Sequence, residues 1–163
     1  MTTTATVPSL TRDAERLNDA LGELLRVVQF RDRDRACCYD VSVSQCYALK
    51  SVVEAEGLSV NDLAAALFLD KSTASRIANS LVDKRYVART RDPEDGRVVQ
   101  LVATPAGAAM SARIEADTTG EYAELLEGFG PEVRTALIEL VGWLGRRFAA
   151  GVEVSGGSCC VVK

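Results

Sequence analysis

The 163-residue chain contains no histidine. That absence removes the commonest general base, the commonest zinc ligand and every Ser–His or Cys–His nucleophile pair. Phosphate-cradling glycine loops are missing as well, since neither G-x-G-x-x-G nor G-x-x-x-x-G-K occurs. There is no C-x-x-C pair, which leaves a thiol reductase without its usual motif. The carboxylates Asp92, Glu94 and Asp95 cluster in a turn where nothing raises a pKa. No apolar run reaches membrane-spanning length, and the first eight residues lack both a basic n-region and an apolar h-region. These absences predict a cytoplasmic protein that is not an enzyme, needs no obligatory cofactor and has no membrane partner.

What is present is ordinary for a globular chain: 47% apolar and 26% charged residues, with a formal charge of −4. This length suits one domain with its own core, or two chains that share one. Leu17, Leu21, Leu24, Leu25 and Val28 recur at helical spacing and predict a first helix over about 11–33, capped by Thr11. Ser42-x-x-Gln45 opens a second helix with a capping box, and Gly57 ends it. Later, Thr104 caps a helix with Pro105 in its first turn, running to about 128. Pro131 begins a last helix to about 150, apolar at Val133, Leu137, Leu140, Val141 and Leu144. Residues 1–10 read as an arm and 151–163 as a flexible tail.

Between these helices lies a more specific pattern. Ser59-Val60-Asn61-Asp62 is an N-cap serine with a carboxylate three residues on, followed by Leu63, Ala64, Leu67 and Phe68 at helical spacing. Asp70 caps a further helix over 71–82, with Ala74, Ile77, Ala78, Leu81 and Val82 inward. The opposite face carries Ser72, Thr73, Ser75, Arg76 and Asn79. Short hydroxyls and an arginine near a helix N-terminus suit reading of the DNA major groove, and equally suit a solvated face. Two β-prone runs follow, from Tyr86 to Arg91 and from Val98 to Val102, joined by Asp92-Pro93-Glu94-Asp95-Gly96-Arg97. Across residues 71–91, six cations (Lys71, Arg76, Lys84, Arg85, Arg89, Arg91) meet Asp83 alone, a local +5 that leaves −9 for the rest. Positive charge is concentrated where a phosphate backbone would lie.

The run from Asp70 to Arg76, then Leu81, Lys84, Arg89, the 92–97 turn and Thr104-Pro105-Ala106-Gly107, resembles the winged-helix core of the MarR family of bacterial transcription regulators. The resemblance covers roughly residues 11–150, and Ser42-Val43-Ser44-Gln45 and Leu49 fit the family's second helix. Two positions depart from it. Arg85 stands where the family usually has a glycine, which predicts an altered helix end, and Ala103 stands where a leucine usually precedes Thr104. The resemblance implies a mainly α fold with a small β-hairpin wing: a winged helix-turn-helix over about 42–104 within a single domain of residues 11–150. The amphipathic helices at 11–33, 104–128 and 131–150, including Trp143, lack partners in so small a domain. In the family such helices intertwine into a homodimer. Two reading helices then meet successive major grooves of double-stranded DNA, about 34 Å apart, on a palindromic operator. Ser72, Thr73, Ser75, Arg76 and Asn79 would read the groove, and Arg89 and Arg91 would hold the wing. At the wing tip the family pattern places Arg97 in the minor groove, steadied by Asp95.

Five cysteines occupy two places: Cys37, Cys38 and Cys46, and the pair Cys159 and Cys160. An odd count argues against a disulfide framework. With a turn at Tyr39-Asp40-Val41, Cys37 or Cys38 folds back towards Cys46 in the next helix's first turn. A helix N-terminus and the nearby Arg33 and Arg35 favour thiolate. Thiolates without imidazole suit a soft ion: As(III), Sb(III) or Hg(II), with Cys159 and Cys160 as possible additional ligands. Zinc-sensing members of the family use histidine, absent here. Alternatively the thiols sense peroxide, as family members with a reactive cysteine in the first helix do. A third reading is a regulator induced by a small aromatic acid, as many members are.

Overall fold

The computed structural model describes residues 9–36, 39–91 and 98–154, of which 33–36 and 152–154 are described as backbone alone. The chain divides into two compact units, residues 1–43 and 44–163. The first is dominated by helix α1, Leu10–Ala36. It starts earlier than the cap expected at Thr11: Ser9 Oγ accepts from Arg12 N at 3.4 Å, and Ser9 O accepts from Asp13 N. Serine is the better N-cap of the two, so Thr11 is drawn into the first turn. The helix leaves Leu17, Leu24, Leu25, Val27 and Phe30 exposed.

The second unit runs α2 (Val43–Glu54), β1 (Leu58–Ser59), α3 (Val60–Ala66), α4 (Lys71–Asp83), β2 (Val87–Arg91), β3 (Val99–Ala103), α5 (Pro105–Leu126) and α6 (Pro131–Val154). The expected hairpin is there, with Arg89 opposite Leu101, but it belongs to a three-stranded antiparallel sheet of order β1-β3-β2. The extra strand is only two residues long, pairing Leu58 with Leu101 and Ser59 with Gln100. It arises because the extended Ser59 cap conformation, needed to start α3, also suits a ladder. Helix α2 stops at Glu54, short of the expected stop at Gly57; Glu56 (φ 55°) and Gly57 (φ 133°) then turn the chain into β1.

The core gathers around these short elements. Ala48, Leu49 and Val52 of α2, Leu63 of α3, Ala74, Ala78 and Leu81 of α4, Val87 of β2 and Leu101 of β3 are all buried. Gly107 is the buried residue of α5. Along α6, Val133, Leu137, Ile138, Leu140, Val141, Trp143 and Phe148 remain exposed, so this helix spends little of its apolar surface within its own chain.

Candidate nucleic-acid interface

Helix α4 is built as its sequence pattern requires, with small residues inward and polar ones outward. Ala74, Ala78 and Leu81 are buried, Ile77 and Val82 half-buried, while Ser72, Arg76 and Asn79 are exposed and Thr73 and Ser75 half-exposed. Ser72, Arg76 and Asn79 follow a spacing of four and three residues and so share one face. Asp70 does more than cap. Its Oδ1 accepts from Thr73 N at 2.9 Å and from Ser72 Oγ at 2.5 Å, and its Oδ2 accepts from Thr73 Oγ1 at 2.7 Å. Those bonds, led by the one from Ser72, hold the exposed carboxyl well below the usual carboxylate range. Thr73 Oγ1 in turn accepts from Arg76 Nη2 at 3.0 Å.

The sheet adds cations beside this face. Arg89, on β2, donates from Nη2 to Asn79 Oδ1 at 2.6 Å, tying β2 to α4. Arg91 is exposed at the end of the same strand. Asp95 and Arg97 lie outside the described residues. Seven of the expected DNA contacts (Ser72, Thr73, Ser75, Arg76, Asn79, Arg89 and Arg91) thus lie on α4 or the strand tied to it. Asp70 as the anchor of this network was legible only as a cap.

The helix end predicted to be altered at Arg85 is instead a regular one. Arg85 N donates to Val82 O at 2.9 Å and Tyr86 N to Leu81 O at 3.0 Å, with Arg85 at φ 62°. That is the Schellman pattern, with arginine in the left-handed position glycine usually occupies. The turn then abuts α5: Thr104 Oγ1 donates to Arg85 O at 2.7 Å, and Thr104 N donates to Tyr86 O at 3.0 Å. Thr104 caps α5 as expected, accepting from Gly107 N at 3.1 Å.

Behind α4 stands α2. Gln45, expected to serve a capping box, sends its amide across to α4: Nε2 donates to Ser80 Oγ at 2.8 Å, and Oε1 accepts from Lys84 Nζ at 3.3 Å. No local spacing signals a bond across 35 residues. Cys46, the next residue, is half-buried. Cys37, Cys38, Cys159 and Cys160 lie outside the described residues, and among the described residues no cluster of metal-ligating side chains forms. No helix among them is long and apolar enough to cross a membrane.

Residues 39–98 match the sequence profile of the MarR family. The HTH-type transcriptional regulator SarZ of Staphylococcus aureus is 31% identical over 74 residues, which are 45% of this chain and 50% of SarZ. The match therefore spans half the length of that curated relative. Among solved structures, a MarR family protein from Bacillus stearothermophilus superposes with a TM-score of 0.76 at 22% identity, covering 85% of this chain and 96% of that one. FabT of Streptococcus pneumoniae, solved in complex with DNA, gives a TM-score of 0.74 at 18% identity, over 83% and 96% of the two chains. At these identities the two structures establish the fold. The profile and the curated relative are those of transcription regulators, not enzymes.

Proposed function

We propose that this chain, whose residues 39–98 match the MarR family profile, is a winged-helix, DNA-binding transcriptional repressor, acting as a homodimer on a palindromic operator. The observation that carries this reading is the exposed face of α4, where Ser72, Arg76 and Asn79 stand beside the cations of β2. Side chains of this kind reach base edges and phosphates together. Ser72, Thr73, Ser75, Arg76 and Asn79 enter the major groove; Arg89, Arg91 and Arg97 hold the wing, with Asp95 steadying its tip. The exposed apolar faces of α1 and α6 supply the surface that two copies bury against each other. Arg76→Ala abolishes operator binding in a mobility-shift assay while leaving the thermal midpoint nearly unchanged, because the side chain is exposed. Full affinity in that variant overturns the assignment of α4.

The release signal in this reading is a soft ion, As(III), Sb(III) or Hg(II), taken by Cys37, Cys38 and Cys46, with Cys159 and Cys160 as further possible ligands. Support comes from the donor set, which is rich in thiols and without imidazole. Cys46 is half-buried at the end of the first turn of α2, next to the glutamine that grips α4. Titrating the operator-bound dimer with arsenite, antimonite and mercuric ion releases DNA, and Cys46→Ser abolishes that release. Release by an organic hydroperoxide alone replaces the soft ion with a redox signal. Release by an aromatic acid, unchanged in Cys46→Ser, removes the thiols from the mechanism.

A further inference from the structure

The hydrogen bonds on the α4 face determine which chemical groups that face has left to offer. A carboxylate only accepts and a guanidinium only donates, so the polarity of each bond is set by chemistry. Ser72 Oγ gives its single proton to Asp70 Oδ1, and Thr73 Oγ1 gives its own to Asp70 Oδ2 at 2.7 Å. Both hydroxyls are left with lone pairs, and Thr73 has already lent one to Arg76 Nη2. Farther along the helix, the Arg89 guanidinium takes the Asn79 carbonyl oxygen at 2.6 Å. Asn79 keeps its amide N–H pair in full, and on its oxygen a single remaining lone pair beside the guanidinium charge.

We propose that this pre-set polarity dictates the base chemistry of the operator half-site. Ser72 and Thr73 accept from an exocyclic amine, adenine N6 or cytosine N4. Asn79 donates to an acceptor edge, guanine O6 and N7 or thymine O4. An asparagine with a free carbonyl pairs with adenine through N6 and N7 together; the guanidinium of Arg89 holds one of that oxygen's two lone pairs and sets its positive charge against the N6 amine, which disfavours that pairing. Asp70 touches no base and is a positioning residue, and Arg89 plays that part for Asn79. The proposal rests on the reading of α4 as the groove-binding helix and adds to it the class of base edge each side chain selects.

The test is sequence enrichment from random half-sites by the full-length protein, run in parallel with Asp70→Asn and Arg89→Met. Asparagine is itself a good N-cap, so the first variant keeps its helix, checked by an unchanged circular dichroism spectrum at a temperature below its melt. Its amide sets a donor against one hydroxyl and turns that hydroxyl's proton outward. Loss of Arg89 weakens all sequences alike, and enrichment compares sequences within one protein. In the parent, adenine or cytosine is favoured at one position and guanine or thymine at another, each by about tenfold. Asp70→Asn erases the first preference and spares the second. Arg89→Met moves the second to adenine and spares the first. Identical preferences in all three proteins overturn the proposal, as does a position that already selects adenine in the parent and loses it in Asn79→Ala. A parent protein that enriches no sequence at all overturns the reading of α4 itself, a separate and recognisable failure.

Discussion

Two side chains show how much a single position contributes. Arg85 occupies left-handed backbone at φ 62°, where a Cβ carries a steric penalty of about 1 kcal/mol that glycine avoids. Arg85→Gly therefore raises stability by about 1 kcal/mol, read as a higher midpoint in urea or heat. If the guanidinium also meets a phosphate, the same variant lowers the slope of log affinity against log salt by about one unit. Asp70 is held ionised by the hydroxyls of Ser72 and Thr73, and its pKa in the folded chain lies below the ordinary value of 3.8. A depressed acid stabilises the fold above its ordinary pKa and loses that contribution as pH falls toward the depressed one. Asp70→Asn removes this contribution, so its acid-unfolding profile is flatter than the parent's below pH 3.8.

At the scale of elements, the helices were legible where the local signals were unambiguous. Asp70 with the stripe Ala74, Ala78 and Leu81 marked α4, and Ser59 with Asp62 marked α3, whose capping box has both of its bonds. What stayed hidden depended on distant partners or on competition between equivalent neighbours. β1 has two residues and exists only because β3 lies alongside it. Ser9 and Thr11 both carry the hydroxyl a cap needs, and serine, the stronger capping residue, takes the place. Thr104-Pro105 announced α5, yet nothing local revealed how closely its first turn abuts Tyr86. A Cβ on Gly107 would stand 1.9 Å from Tyr86 O. Gly107→Ala forces α5 away from the turn that ends α4, costing about 2 kcal/mol in denaturant unfolding. An unaltered midpoint would mean that this junction yields without strain.

For the whole molecule, the decisive quantity is the apolar surface that the chain leaves uncovered. Leu140 is 61% exposed and Phe148 likewise, while among the described residues the core lies in the winged-helix segment and its borders. A charge placed on that surface opposes association without touching the reading face. Leu140→Glu accordingly converts the proposed dimer to a monomer in sedimentation equilibrium, and affinity for the proposed operator falls because one half-site is held at a time. The described parts of α3, α4 and β2 keep their spectra in that variant, since Leu140 lies outside their core. The network around Asp70 has a further consequence for such a dimer. Ser72, Thr73, Arg76, Asn79 and Arg89 are each already tied to a neighbour before anything docks. Immobilising a free side chain at an interface costs about 0.5–1.5 kcal/mol, and here that ordering has occurred during folding. Calorimetry of operator binding would then show an entropy dominated by released water and ions, with little lost to the side chains that do the reading.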